Sequence, residues 1–225
     1  MKTLRQHIDE ALKIGKNLSE WSSYSCQPKT KEELEEIIKD RISKEGTNCD
    51  LNDIDTSLID DMSYLFYRSD FNGDISKWNT SNVKNTKYMF CESVFIGDIS
   101  EWNVSNVKNM FGMFFRSKFN GDISKWNTSN AEDMSYMFFK SIFTGNISNW
   151  NTFKVKDMNN MFYFAKFSGD ISRWDVSNVK YMYCMFEYSK FNQDISNWQI
   201  DKNCDVHDMF YECPIKNEFK PKSLR

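Results

Sequence analysis

The chain has 225 residues, with 29 Lys and Arg against 32 Asp and Glu, and its formal net charge is −3. This balance argues against nucleic acid as a partner, because non-specific affinity for nucleic acid depends on clustered lysine and arginine. No apolar run approaches the roughly 20 residues of a membrane span, and the first seven residues lack the apolar stretch of a secretory signal, so the chain as written is expected in the cytoplasm.

Residues 1–48 are predicted to form an N-terminal helical cap. Apolar residues recur at helical spacing around residues 2–17, which predicts a first helix. Thr30 followed by Glu33 is a capping-box pattern that predicts the start of a second helix, and Gly46 is its expected end. An amphipathic helix docked there would cover the first turn of a repeat array. A separate protein-binding helix hairpin is the alternative.

Residues 49–213 repeat with a period of 24 residues, and residues 214–225 form a C-terminal tail. Three columns of the repeat hardly vary. The tryptophan column contains Trp78, Trp102, Trp126, Trp150, Trp174 and Trp198. The isoleucine column contains Ile75, Ile99, Ile123, Ile147, Ile171 and Ile195, and the phenylalanine column contains Phe71, Phe95, Phe119, Phe143, Phe167 and Phe191. Such periodicity predicts a solenoid of about seven turns.

Each repeat is predicted to contain a short strand followed by a short helical turn. Trp78 and Thr80 alternate with polar residues, so both side chains would point inward from a strand. Apolar residues recur there at three and four residues, which indicates a helical turn on the opposite wall; they are Val107, Met110, Met113 and Phe114. The predicted fold class is α/β: a leucine-rich-repeat-like solenoid of short parallel strands and short helical turns.

Three other sets of residues have structural interpretations. The methionines occupy apolar columns and are expected in the core. The asparagines of one column are expected to bond the backbone of the neighbouring turn; they are Asn82, Asn106, Asn130 and Asn178. An aspartate column either accepts backbone hydrogen bonds in its own turns or binds calcium; its members are Asp74, Asp98, Asp122, Asp170 and Asp194.

The six cysteines follow no shared spacing, which favours isolated thiols over a disulfide framework. Cys26 with Cys49, or Cys204 with Cys213, would be the pairs in an oxidising compartment. With two histidines and no Cys-x-x-Cys, a zinc site is not expected. Apart from the calcium alternative for the aspartate column, the sequence therefore predicts no metal and no cofactor.

Two copies of the repeat carry a family resemblance. Residues 73–79 read Gly-Asp-Ile-Ser-Lys-Trp-Asn, and residues 169–179 read Gly-Asp-Ile-Ser-Arg-Trp-Asp-Val-Ser-Asn-Val, each followed by a Met-x-x-Met-Phe segment or a close variant. This motif resembles the BspA-type leucine-rich-repeat family found in many bacterial surface proteins and in mycoplasmas. The resemblance covers about residues 49–213. It implies a leucine-rich-repeat-like fold, often adhesion to host or matrix proteins, and a location at the cell surface.

The predicted binding surface is the concave side of the expected sheet, where the columns between the inward residues are displayed. Phe153 interrupts a serine column there, either as a binding anchor or folded over Lys154. The predicted site residues are Lys77, Asn79, Glu101, Asn103, Lys125, Asn127, Asn149, Asn151, Phe153, Arg173, Asp175 and Asn197.

The leading functional hypothesis is a non-catalytic interaction module that binds a protein or a glycan through this concave sheet. The alternative is a structural subunit that self-assembles edge to edge or coats a particle. An enzyme is not expected, because the sequence has no Gly-rich phosphate loop and no arguable Ser-His-Asp or Cys-His set.

Overall fold

The computed structural model describes residues 24–225. In this part of the chain the regular elements are one α-helix, α1 (Lys31–Glu45), and two short 3-10 helices, Asn217–Phe219 and Lys222–Leu224. No helix among these residues is both long and apolar enough to cross a membrane. The first helix, predicted around residues 2–17, lies outside the described residues.

Helix α1 begins and ends where the sequence predicts. The Thr30 hydroxyl oxygen accepts a hydrogen bond from the Glu33 amide at 3.2 Å, and the Glu33 carboxylate accepts one from the Lys29 amide at 2.7 Å. These bonds satisfy N–H groups that a helix start leaves without partners. Gly46 ends the helix with a φ of 88°. Leu34 and Ile38 are buried in the same core cluster as the repeats, so the helix packs against them.

The repeats stack as coils, each bonded to the coil that follows 24 residues later. Single-residue parallel bridges connect equivalent positions along the stack. They join Asp61, Asn85, Asn109, Asp133, Asp157, Tyr181 and Asp205 in succession. No bridge extends into a strand in residues 24–225, so the predicted parallel strands, and with them the predicted α/β class and concave sheet, are wrong.

The residues predicted as a strand form two consecutive β-turns instead. The Trp78 amide donates to the Ile75 carbonyl at 3.2 Å, and the Val83 amide donates to the Thr80 carbonyl at 3.0 Å. A strand would direct these amides to a neighbouring chain, whereas here each closes a four-residue turn. The alternation that predicts inward-facing Trp78 and Thr80 is still correct, since both are buried.

The predicted helical turns are also absent from the described repeats. Between residues 61 and 69, alternate amides donate along the stack: Met62 N–H bonds the Asn85 carbonyl and Tyr64 N–H bonds the Lys87 carbonyl, both at 2.9 Å. Overlapping β-turns lie between these bonds, and each coil has two residues with positive φ. An α-helix cannot contain such residues, so the three- and four-residue spacing here reflects turns rather than a helix.

The positive-φ residues form two columns along the stack, and nearly all are not glycine. Each occupies the third position of a turn, where type II geometry requires positive φ. The first column contains Tyr64, Tyr88, Gly112, Tyr136, Asn160, Cys184 and Asp208, and the second contains Arg68, Glu92, Arg116, Lys140, Phe164, Tyr188 and Glu212. Such backbone costs about 1–2 kcal/mol per non-glycine residue, which the surrounding packing must offset.

Continuous stacks of aromatic rings fill the core. The rings of the Met-Phe column, from Phe66 to Phe210, follow one another at 5.6–5.8 Å between centroids. Those of the column from Phe71 to Phe191 are 6.2–6.5 Å apart. The methionines beside them are fully buried, as predicted. Apolar burial of this kind is the main stabilising contribution to the stack.

Polar groups of the core are satisfied by the neighbouring coil. Each tryptophan of the tryptophan column donates its indole N–H to a carbonyl 27 residues earlier; the Trp126 bond to Ile99, for example, is 3.0 Å long. The predicted asparagine ladder is confirmed, with Asn106 Nδ2 2.7 Å from the Ser81 carbonyl oxygen. At the far end, Ile215 is buried and the Phe219 carbonyl accepts the Ile195 amide at 3.0 Å.

Candidate functional site

The twelve predicted site residues are all exposed, but they lie on β-turns and on the short links between them. We call this surface the polar face. The repeat brings equivalent residues close together: Lys125 Nζ is 2.7 Å from Glu101 Oε1 in the preceding coil. The predicted surface therefore exists as an exposed region, although not as a sheet, and its binding role stays a prediction.

Many polar side chains of this face bond their own backbone. Asn79 Oδ1 accepts the Ser81 amide at 3.1 Å, and its equivalents in the next four coils do the same. Phe153, the aromatic exception, is 54% exposed, and the Lys154 ammonium beside it donates to Asn130 Oδ1 at 2.6 Å. The carboxylate and amide oxygens of this column are thus occupied by structural hydrogen bonds.

The aspartate column forms the turn bonds that the first of its two interpretations predicts. Asp122 Oδ1 accepts the Ser124 amide at 2.9 Å, and Asp74, Asp98, Asp170 and Asp194 make the same bond. This backbone hydrogen bond holds the pKa of Asp122 below its ordinary value. In residues 24–225 no group of three or more His, Cys, Asp or Glu side chains is arranged to hold a metal ion.

All six cysteines are free thiols. Burial raises the pKa of Cys91 and of Cys184 to about 12 and that of Cys204 to about 11. A thiol with so high a pKa carries almost no thiolate near neutral pH, so these cysteines are poor nucleophiles.

A second surface, which the sequence analysis did not identify, lies over the positive-φ segment of each coil. We call it the aromatic wall. It consists of twelve aromatic side chains: Tyr64, Tyr67, Tyr88, Phe111, Phe115, Tyr136, Phe139, Tyr163, Phe164, Tyr183, Tyr188 and Tyr211. Five of them are 36–49% exposed, and these are Tyr64, Tyr67, Phe164, Tyr188 and Tyr211. The other seven are half-buried.

The rings of the wall contact one another from coil to coil. Phe115 and Phe139 stack at 4.5 Å between centroids, and Phe139 and Tyr163 at 4.7 Å. Phe164 stacks on Tyr188 at 4.6 Å. Aromatic pairs at these distances contribute about 0.5–1.5 kcal/mol beyond their buried area. The wall is therefore a continuous apolar surface rather than a set of isolated exposed side chains.

Cationic side chains lie over several of these rings. Arg68 is 5.1 Å from the centre of the Tyr67 ring, Lys87 is 5.1 Å from Phe111, and Lys140 is 5.1 Å from Phe164. Cations within about 6 Å of a ring centre are attracted to its face. Burial raises the pKa of Tyr88, Tyr163 and Tyr188 above the ordinary value, so their hydroxyls stay neutral near pH 7. The charge of the wall thus comes from its other residues.

Phe164 and Tyr188 differ most from the rest of their column. In every other described coil this positive-φ position carries a charged residue, such as Arg116 or Glu212. A bulky aromatic residue with positive φ is unusual, and half-exposing its ring forgoes hydrophobic stabilisation. These two rings, together with Ser189, Lys190 and Glu212, line a shallow depression beside the last coil. Such departures cluster at interaction sites.

The sequence contained a signal for the wall. Tyrosine and phenylalanine recur at the non-core positions of the Met-x-x-Met-Phe segment, although no single column is aromatic throughout. In the predicted helical turn these positions would lie on different sides of the helix, so their proximity was not predicted. The turns instead direct all of them to one side.

The comparisons with known proteins show the family and leave the activity open. Neither a curated protein nor a solved structure matches the chain. A protein-family model described as "Mycoplasma protein of unknown function, DUF285" matches twice, over residues 33–142 and 116–220. The two matches together cover α1 except its first two residues, all the coils and most of the C-terminal tail. The chain therefore belongs to this family of repeat-containing proteins.

Proposed function

We propose that the chain is a non-catalytic protein-interaction module whose contact surface is the aromatic wall. The observation that carries the proposal is the grouping of five exposed rings with seven half-buried ones on a single face. Single apolar side chains on a surface are ordinary, whereas a continuous apolar patch is typical of a protein contact. Tyrosine, phenylalanine and arginine are also the residues that interfaces favour.

The wall meets a second requirement of an interface, which is rigidity. Its side chains stand on backbone that two sets of hydrogen bonds fix, one within the turns and one between coils. A preordered surface loses little conformational entropy when it binds. The wall, unlike the polar face, also leaves most of its exposed side-chain surface without local hydrogen bonds. These features support recognition of a folded or extended protein partner.

The resemblance of the repeat to BspA-type surface proteins extends the proposal to adhesion. In this interpretation the partner is a protein of a host or matrix, and the chain acts at a cell surface. The leucine-rich-repeat-like solenoid belongs to the same resemblance, with turns in place of the strands of that fold.

A structural subunit that stacks end to end is a second candidate function. The last coil repeats the geometry of the others, in which alternate amides donate to the next coil. The amides of Val206, Asp208, Phe210 and Glu212 have no backbone acceptor among the described residues. An open edge of this kind can template assembly. An apparent molar mass from light scattering that keeps rising with protein concentration, as for a filament, would support this candidate.

The proposed function is tested by a capture experiment that compares two variants, each with three substitutions to serine. The wall variant carries Phe164→Ser, Tyr188→Ser and Tyr211→Ser, and the control variant carries Lys77→Ser, Lys125→Ser and Arg173→Ser. Circular dichroism and urea unfolding first establish that both fold. A captured protein that the wall variant loses and the control retains supports the wall. Loss with the control alone would assign recognition to the polar face and contradict the proposal.

A further inference from the structure

The charges of the aromatic wall are divided between its two ends. In the first four coils its outward positions carry four cations and one carboxylate, which gives a net charge of +3: Arg68, Lys87, Arg116, Lys140 and Glu92. In the last three coils the same positions carry three carboxylates and no lysine or arginine, which gives −3 with histidine neutral: Glu187, Asp208 and Glu212. The wall thus has a basic half and an acidic half of equal and opposite charge.

Neighbouring columns do not remove this division. Along one border two aspartates in each half of the wall accept the amide two residues on: Asp61 and Asp133 in the basic half, and Asp157 and Asp205 in the acidic half. Lysines border the acidic half, and two of them are paired with carboxylates: Lys156 with Glu132 at 3.0 Å, a carboxylate that Lys108 also contacts, and Lys180 with Asp201 at 3.6 Å. Lys166 and Lys190 lie at the opposite rim, and Lys190 also lines the depression beside Glu212. With both lysines counted, the acidic half is still net negative, at −1.

We propose that two copies of this chain dimerise wall to wall in antiparallel orientation. The inference rests on the proposed function, because it names the partner of the same wall. A two-fold axis through the coil of residues 133–141 places the first three coils of each copy, net +2 at the wall positions, opposite the last three coils of the other copy, net −3. The coil of Arg68 meets that of Asp208 and Glu212, and the coil of Lys87 meets that of Glu187. Lys140, in the coil on the axis, lies opposite its own equivalent. A contact of this kind is self-complementary and closed, as in most homodimers.

The same orientation gives the exposed rings a partner. Tyr64 and Tyr67 in the first coil would meet Tyr211 in the last coil of the other copy. Phe164 would meet the coil of Arg116, a residue that prefers to stack on aromatic faces. The parallel orientation would instead oppose like charges, which costs affinity. The rings therefore supply the apolar contact and the charges select its direction.

The test uses two charge-reversed variants. Each should fail to form a homodimer, and the two should form a heterodimer when they are mixed. The acidic-wall variant carries Lys87→Glu, Arg116→Glu and Lys140→Glu, and the basic-wall variant carries Glu187→Lys, Asp208→Lys and Glu212→Lys. Glu92 and Glu212 already occupy the column of Arg116 and Lys140, so the backbone accommodates glutamate there. A control with Lys77→Glu, Lys125→Glu and Arg173→Glu makes the same charge change on the polar face.

Sedimentation equilibrium of the full chain at low salt supplies the measurement. We expect dimers of the wild type and of the control, at least tenfold weaker self-association of each wall variant, and a one-to-one heterodimer when the two wall variants are mixed. A wild type that stays monomeric, wall variants that still self-associate as well as the wild type, or a mixture that stays monomeric would each overturn the dimer. The wild-type dimer should also weaken with added salt. A dimer affinity that salt does not change would by itself contradict the proposal.

These outcomes separate the dimer from the broader proposal. If the wild type is monomeric but captures a protein that the Phe164→Ser, Tyr188→Ser and Tyr211→Ser variant loses, the interaction module stands and the dimer is wrong. If the wild type dimerises and the same aromatic variant is monomeric, the partner of the wall is a second copy of the chain.

Discussion

The polar face and the aromatic wall are two sides of the same coils, yet their exposed side chains differ in how far they bond the backbone. On the polar face, side chains such as Asn127 bond the backbone and hold each turn in place. On the wall, the packing of the core, the bonds between coils and the border column that contains Asp133 hold the backbone with positive φ. The outward aromatic side chains take no part in that backbone bonding. Exposure alone therefore marks a binding surface poorly. It matters more whether the exposed atoms already have partners within the chain.

The largest expected effect on stability comes from a substitution that strains the backbone of the wall at Gly112. This residue has a φ of 58°, and a Cβ added there would lie against the Tyr88 ring. Gly112→Val combines a β-branched residue at positive φ with a steric contact, so we expect the free energy of unfolding to fall by about 3 kcal/mol in urea titrations.

Gly112→Asn is the matched control for the backbone. It adds the same Cβ beside Tyr88, but asparagine tolerates positive φ and occupies this column at Asn160. The asparagine variant should therefore lose clearly less stability than the valine variant. Equal losses would mean that the ring contact alone, and not the backbone, limits this position.

A smaller effect is expected on the polar face as the pH falls. Hydrogen bonds from the backbone hold the pKa of Asp74, Asp122, Asp170 and Asp194 below the ordinary value. Such groups stabilise the fold above their unfolded pKa, about 3.9, and lose that contribution as the pH falls through the lower folded value. Changing all four to Asn keeps the acceptor oxygen, as Asn146 does in the same column. The variant should show a flatter stability curve between pH 5 and pH 2 in urea unfolding.

Asp157, at the border of the wall, should behave in the opposite way. Burial raises its pKa, so its contribution to stability is lost as the pH rises through the interval between its unfolded and folded values. Asp157→Asn should therefore gain stability relative to the wild type above that interval and not below it. A steeper acid transition in the four-residue variant, or no gain for Asp157→Asn, would contradict this contrast between the two faces.

The smallest expected effect comes from removing one side-chain bond of the polar face. Asn127→Ala deletes the acceptor for the Ser129 amide, which is 3.1 Å away, and should lower the free energy of unfolding by about 1 kcal/mol. Asn127→Asp should cost less, because Asp175 makes the same bond in its own coil. If the alanine variant were as stable as the wild type, the turn would depend on its backbone hydrogen bonds alone.

Predictability from the sequence differs between core and surface. The columns of Trp78, Ile75 and Phe71 are buried as predicted, since a strict period of apolar residues has to be satisfied by a shared core. The asparagine ladder and the turn bonds of the aspartate column were also predictable, because these side chains bond nearby backbone in few ways. The candidate site was only partly predictable: the twelve residues of the polar face are exposed, but the aromatic wall was missed.

The reason lies in how turns and regular elements share the same patterns. Alternation in the segment of Trp78 fits a strand, and the spacing from Met110 to Met113 fits a helix, yet both segments form turns. Positive φ at residues such as Tyr136 and Lys140 has no signature in residue type, since the favoured glycine or asparagine is mostly absent there. The choice depends on bonds to the neighbouring coil, which a local pattern does not contain.

The sequence by itself determined the period of the repeat, the residues of its core and the helix from Lys31 to Glu45, because apolar spacing and capping side chains act over a few residues. Only the tertiary structure decided that the coils are built from turns and that scattered tyrosines, phenylalanines and cations meet on one wall. Stacking supplies the hydrogen bonds and ring contacts that hold strained backbone in place, and these exist only once each coil lies on the next.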